Sequence, residues 1–182
     1  MNFTQTDLKG CFIIQPKIFE DNRGYFFESF KGNLLSEALG YKINFIQDNE
    51  SSSKYGVVRG LHIQRGEFSQ SKLVRVLSGK ILDVAVDVRK DSPTYGKHIS
   101  VELSSENKTQ LFIPKGFLHG FSVLSETAVV FYKCDANYDP ASEDSCHPLD
   151  EELNIDWKVP VEKMTLSDKD QNAKRFSEFN PY

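Results

Sequence analysis

Short stretches of alternating apolar and polar residues dominate this chain, and the clearest covers residues 80–88. There Leu82, Val84, Val86 and Val88 fall on one side and Asp83, Ala85 and Asp87 on the other, which is the two-residue period of a strand. Ser78-Gly79 supplies a tight turn just ahead of it. β-Branched and aliphatic residues mark strands over 57–66 and 70–77, and shorter runs predict strands at 10–16, 25–30, 43–49, 98–103, 110–113, 120–123 and 128–134. Turn signals stand at Asp21-Asn22-Arg23-Gly24 and across 91–96. The spacing predicts one short helix over 33–39, stopped by Gly40, and a helix start at Ser167 with Asp170 three residues on. From Asp135 the chain turns acidic and turn-rich, as a loop covering one end of a barrel would. Many short strands without βαβ alternation predict an all-β, mainly antiparallel sandwich or small barrel.

Composition narrows the class without altering that picture. A chain of 182 residues suits a single domain, 1–182, with a real core. At 39% hydrophobic, 26% charged and a net charge of −4 it is not basic enough for general nucleic-acid binding. Cys11, Cys134 and Cys146 are odd in number and form no C-x-x-C pair, which disfavours a disulfide framework or structural zinc and fits a reducing compartment. The first residues lack a basic segment followed by an apolar one, and no apolar run reaches membrane-spanning length. The expectation is a cytoplasmic protein without a membrane or nucleic-acid partner.

Candidate chemistry lies in the polar residues set among apolar ones. The aromatics of 25–30 read as core packing, whereas Glu28 among them needs a partner or water. His62 closes Val58-Arg59-Gly60-Leu61-His62. Lys72 shares a strand face with Val74 and Val76, and Arg75 shares the other with Leu73 and Leu77, so one cation points inward whichever face is buried. The plain alternative is a hydrogen-bonded core histidine beside solvated cations. Pro114-Lys115-Gly116-Phe117-Leu118-His119 matches the P-x-G-x-x-H turn that supplies a metal histidine in cupin-type barrels, but the partner H-x-H reads His62-Ile63-Gln64. Two histidines leave a divalent ion under-coordinated, so no metal and no cofactor is expected. His98 and His147 have no motif around them.

The remaining kit is His62, Lys72, His119, Tyr132, Asp83 and Asp170. A carboxylate-oriented histidine is a general base, a lysine steadies an oxyanion, and a tyrosine, with an ordinary pKa of about 10, can return a proton. Together they fit proton abstraction α to a carbonyl and reprotonation from the opposite face, which is racemisation or epimerisation. No G-x-S-x-G, P-loop or G-x-G-x-x-G competes with that reading.

Taken in order, Asp21-Asn22-Arg23-Gly24-Tyr25-Phe26-Phe27-Glu28-Ser29, Phe45-Ile46-Gln47-Asp48-Asn49, Val58-Arg59-Gly60-Leu61-His62, Lys72-Leu73-Val74-Arg75, Asp83-Val84-Ala85-Val86-Asp87-Val88-Arg89, Ser92-Pro93-Thr94-Tyr95-Gly96, Pro114-Lys115-Gly116-Phe117-Leu118-His119-Gly120-Phe121 and Leu166-Ser167-Asp168-Lys169-Asp170 closely resemble the dTDP-4-dehydrorhamnose 3,5-epimerase family. The resemblance implies a metal-free, cupin-like jelly-roll barrel with a few short peripheral helices, forming a homodimer. It implies inversion of C3 and C5 of dTDP-4-dehydro-6-deoxy-D-glucose, a dTDP-sugar substrate, to give dTDP-4-dehydro-L-rhamnose. By motif, His62 matches the base, Asp170 its carboxylate, Lys72 the cation near the O4 enolate and Tyr132 the acid. Arg59 and His119 match contacts to the diphosphate and sugar. Arg23, Phe26 and Glu28 match a nucleotide-side wall supplied partly by the partner chain, and Gln47, Asn49, Tyr138, Glu143 and Lys169 match further ligand contacts. One departure stands out: residues 144–150 read Asp-Ser-Cys-His-Pro-Leu-Asp where the family commonly has a tryptophan-asparagine-aspartate stretch. Competing readings are a single-carbon epimerase on a related 4-keto nucleotide sugar, a non-catalytic sugar-nucleotide-binding cupin, and a metal-dependent cupin oxygenase.

Overall fold

The computed structural model describes every residue from Met1 to Tyr182. Its strands are β1 (Asn2–Gln5), β2 (Phe12–Gln15), β3 (Ile18–Asp21) and β4 (Gly24–Phe27), then, after helix α1 (Gly32–Leu39), β5 (Gln47–Lys54) and β6 (Val58–Gln64). They continue with β7 (Lys72–Ser78), β8 (Lys80–Asp87), β9 (His98–Ser104), β10 (Gln110–Ile113), β11 (Phe117–Val123), β12 (Thr127–Cys134) and β13 (Glu143–Ser145), and the short helix α2 (Asp168–Gln171) follows. One sheet runs β1-β2-β10-β7-β12-β5 and faces a second that runs β13-β6-β11-β8-β9, while β3 and β4 form a separate hairpin. Every pairing between these strands is antiparallel. The fold is the cupin-like, all-β barrel that the resemblance implies.

Three apolar clusters hold the layers together. Between the sheets lie Val74 and Val76 of β7, Ile81 and Ala85 of β8, Leu111 and Ile113 of β10, and Phe117, Phe121 and Val123 of β11. On the outer face of the five-stranded sheet, Leu61, Leu82, Val84, Val86 and Leu118 are covered by Trp157, Phe176 and Phe179 from the C-terminal segment. α1 packs Leu35 onto Phe12, Ile14, Leu73 and Phe112 of the six-stranded sheet. The alternation of β8 therefore does not separate a buried face from a wet one. Its apolar side lies under the C-terminal segment, and its Asp83–Ala85 side faces the barrel interior, so all residues from Ile81 to Asp87 are buried.

Other expectations shift at their edges. The strand predicted at 43–49 is β5, moved to a run of polar residues from Gln47 to Lys54. β1 and β3 carry no clear alternation and were not anticipated, and β13 forms inside the predicted loop. The aromatics of 25–30 are not core: Tyr25 is 58% and Phe26 is 65% exposed, because the β3–β4 hairpin pairs only with itself. Ser167 does cap α2, its hydroxyl accepting from the Asp170 amide.

Buried Asp87 shows how the barrel tolerates charge. It accepts from Arg89 Nε and Nη2 at 2.8 and 2.6 Å, Ser92 Oγ at 2.5 Å and Thr94 Oγ1 at 2.6 Å, tying the 91–96 turn to the end of β8. Burial works to raise its pKa, but these donors outweigh it and hold the group at about 2. A depressed carboxylate stabilises the fold above its unfolded pKa, about 4, and that contribution is lost as pH falls through its folded value. Asp87→Asn should cost about 3 kcal/mol in urea unfolding at pH 7 and markedly less near pH 2. A cost below about 1 kcal/mol at pH 7 would contradict this role.

Candidate active site

The interior of the sandwich is apolar toward one end and polar toward the other. His62 of β6 lies opposite His119 of β11 across the strand pair. From the facing sheet, Tyr132 of β12 pairs with Asn49 of β5, and Lys72 of β7 pairs with Cys134, two residues along from Tyr132. β6 and β11 approach unusually closely beside the histidines. A Cβ on Gly60, whose φ is +119°, would stand 2.6 Å from the Gly120 Cα, and one on Gly120 would stand 2.6 Å from the Arg59 carbonyl. Only glycine at both positions allows that contact. The register shifts there, between His119 and Phe121.

α2 delivers the carboxylate of this site. With Ser167 as its cap, Asp170 is turned inward, 3% exposed, and its Oδ1 lies 2.6 Å from His62 Nε2. Burial works to raise the Asp170 pKa, but the hydrogen bond and charge of His62, with the Ser167 contact, hold it below the ordinary carboxylate range. An acceptor at Nε2 assigns the ring proton to that nitrogen and leaves Nδ1 with its lone pair. Nδ1 faces Glu143 Oε1 at 3.8 Å. Glu143 is itself anchored by Lys169 Nζ and by the Tyr138 hydroxyl, each 2.6 Å from Oε2. Although burial works to raise its pKa, those two partners and His62 keep it lowered.

Burial lowers the Lys72 pKa, opposed by the charges of Cys134, Asp83 and Glu143. Its Nζ lies 5.9 Å from the Tyr132 ring centroid. Burial raises the Tyr132 pKa, which keeps the phenol protonated near neutral pH. His119 is buried with Nε2 2.7 Å from Asp83 Oδ1, and burial lowers its pKa against the pull of Asp83. No group of three or more His, Cys, Asp or Glu side chains is arranged to hold a metal ion.

These side chains surround one cavity of about 370 Å³, lined by Arg59, His62, Lys72, His119, Tyr132 and Asp170, with Val58, Phe121 and Leu166 as its apolar wall. An adjoining hollow of about 200 Å³ shares His62, Lys72 and Tyr132 and adds Gln47, Asn49, Tyr138 and Glu143. Lys169 sits at its rim through Glu143. Eleven of the fourteen sequence-derived candidates are thus brought together. The other three, on or just beyond the β3–β4 hairpin, are not. Arg23 and Phe26 line a separate hollow of about 530 Å³, and exposed Glu28 pairs with Lys31 at 2.8 Å.

Ser51 and Gln70, which no motif marks, also line the two hollows, as do Phe121, Ser167 and Gln64, noted in the sequence for other reasons. Gln64 stands where a metal-binding cupin would carry its second histidine. Here its side-chain oxygen accepts from the Asp139 amide at 3.0 Å and the Ser142 hydroxyl at 2.5 Å, pinning the acidic loop over the barrel end. The divergent 144–150 segment forms much of β13. Asp144 accepts from Arg65 Nε and Lys174 Nζ, both at 2.8 Å, which fastens Glu143 beside His62.

A β-barrel of two facing sheets, with two histidine–carboxylate pairs, a lysine and a tyrosine around one cavity, defines an acid–base site. The model of the family described as dTDP-4-dehydrorhamnose 3,5-epimerase matches residues 5–178. The Shigella flexneri dTDP-4-dehydrorhamnose 3,5-epimerase is 48% identical over 176 residues, 97% of this chain and 96% of that protein. Among solved structures, the Elizabethkingia anophelis enzyme of that name superposes with a TM-score of 0.96 at 52% identity, covering 99% of this chain and 98% of the other. The dTDP-6-deoxy-D-glucose-3,5-epimerase of Legionella pneumophila, solved in complex with dTDP-4-keto-L-rhamnose, gives 0.93 at 49% identity, covering 98% and 94%. The chain belongs to the dTDP-4-dehydrorhamnose 3,5-epimerase family.

Proposed function

We propose that the whole chain acts as one epimerase domain in which His62 is the base and Tyr132 the acid. The reaction is epimerisation of dTDP-4-dehydro-6-deoxy-D-glucose at C3 and C5 to dTDP-4-dehydro-L-rhamnose, as in the relatives that carry that name. Both carbons flank the C4 ketone, so loss of a proton from either leaves an enolate on the same oxygen. His62 takes the proton on Nδ1 while Asp170 holds its Nε2–H and offsets the charge of the imidazolium. Lys72 supplies positive charge at the developing O4. Tyr132, across the interior on the facing sheet, returns a proton to the opposite face of the ring, which inverts the carbon. Arg59 and His119 contact the diphosphate and sugar, and Gln47, Asn49, Tyr138, Glu143 and Lys169 make further contacts with the ligand.

The observation that carries this reading is the 2.6 Å His62–Asp170 contact at the wall of a cavity shared with Lys72 and Tyr132. A merely sugar-nucleotide-binding cupin has no need of a base, an oxyanion partner and an acid around one cavity. In D₂O, His62→Ala should abolish exchange of the substrate C3 and C5 hydrogens while free dTDP still binds. In the same assay Tyr132→Phe should slow net inversion more than exchange. Unchanged exchange in the first variant, or equal losses in the second, would overturn the two roles.

The enzyme works as a homodimer in this reading, each β3–β4 hairpin lending Arg23, Phe26 and Glu28 to its partner's nucleotide site. Support comes from the exposure of Phe19, Tyr25 and Phe26 on a hairpin that shares no lining residue with the chain's own cavity. A cytoplasmic setting is supported by three buried cysteines, all unpaired, and no helix is long and apolar enough to cross a membrane. Co-expressed His62→Ala and Arg23→Ala chains should regain activity that neither has alone, because one site of each hybrid dimer is then complete. No recovery in verified hybrids would exclude a shared site.

A further inference from the structure

Arg23, Arg65 and Arg89 each give their charge to a carboxylate, at 2.6, 2.8 and 2.6 Å. Arg59, exposed at the rim of the main cavity, instead donates from Nε to a neutral group, the Ser53 hydroxyl, at 3.0 Å. No protein hydrogen bond leaves its Nη1 or Nη2, so the two terminal nitrogens and the whole charge remain for a ligand. Ser53 itself is 7% exposed and does not line the cavity. It stands on the inward face of β5, where Gln47, Asn49 and Ser51 precede it at two-residue intervals. Pairing with β12 along the whole of β5 sets it opposite Ala128, a member of the apolar cluster between the sheets. A hydroxyl buried there costs stability unless it is hydrogen-bonded, and Arg59 is the side chain that bonds it. Because β5 and β6 belong to different sheets, the contact braces the guanidinium across the cavity rim.

We propose that Ser53 is a positioning residue that holds Arg59 by Nε before any ligand arrives, so that a diphosphate meets a fork of two free nitrogens already in place. This deepens, and rests on, the assignment of Arg59 to the diphosphate. An exposed arginine loses rotamer freedom when a ligand fixes it, and the Ser53 contact moves that loss from binding to folding. A hydroxyl suits the task where a carboxylate would not. A carboxylate at this place would neutralise the guanidinium and repel the phosphates, whereas serine leaves the charge intact for a bidentate contact. Ser53 reaches the ligand only through Arg59, so it sets affinity and leaves proton transfer at His62 alone.

Calorimetric titration with dTDP and steady-state kinetics test this together. Ser53→Ala should weaken dTDP about fivefold, the scale of ordering one long side chain. It should raise KM in step while kcat stays within about twofold, a split that general damage to the barrel would not give. In an Arg59→Ala background the same change should cost nothing further. Unchanged dTDP affinity in Ser53→Ala, or an equal loss with and without Arg59, overturns the proposal. A second readout needs no Ser53 variant to fold. In ligand-free wild type the Arg59 Nε–H signal in ¹H–¹⁵N NMR, assigned by its loss in Arg59→Lys, should exchange slowly with water. A freely exchanging signal overturns the proposal. Arg59→Ala with undiminished dTDP affinity would instead sink the parent assignment of Arg59, so the two failures are distinguishable.

Discussion

Histidines and carboxylates buried between two apolar sheets need partners, and that constraint shapes this barrel. The decisive instance is the 2.6 Å contact between His62 on β6 and Asp170 on α2. It joins residues 108 apart in sequence, so it exists only if the C-terminal segment has folded across the outer face of the five-stranded sheet. Trp157, Phe176 and Phe179, packed on β6, β8 and β11, hold that segment in place. The same apolar burial that stabilises the fold therefore sets the orientation of the His62 ring. His119 with Asp83, and Glu143 with Lys169 and Tyr138, follow the same rule.

The site is asymmetric by construction. The five-stranded sheet brings both imidazoles on paired strands, and the six-stranded sheet brings Lys72, Tyr132 and Asn49 from β7, β12 and β5. A sugar ring held between the layers would meet an imidazole from one sheet and a phenol from the other, which is the geometry that inversion of a carbon demands. The close approach of Gly60 and Gly120 sets the histidine wall. Beyond the histidines, Gln64 and the Arg65–Asp144–Lys174 bridges fasten the acidic loop and β13 around the rim, a job taken by residues that carry no chemistry themselves.

Much of this was legible in the residues. Alternation located the central strands, the parity of β7 required one inward cation, and Ser167 announced the cap that presents Asp170. What stayed illegible has physical causes. β5 lines the cavity with one face and meets solvent with the other, so its polar run carries no hydrophobic period. β8 is buried on both faces, so alternation there could not say which side held the chemistry. Phe26 resembled a core aromatic because exposure of a hairpin tip is decided by which strands pair, and that is not written in local composition. Ser51 and Gln70 sit in no motif, and only the fold brings them to the cavity and its adjoining hollow.

Epimerisation here means carbon–hydrogen bonds broken on one face and remade on the other inside a single site. The direct measurement is NMR of the wild-type protein turning over dTDP-4-dehydro-6-deoxy-D-glucose in D₂O. Solvent deuterium should appear at both C3 and C5 of a product inverted at both carbons. Product inverted without deuterium at those positions, or deuterium taken up with neither carbon inverted, would contradict it.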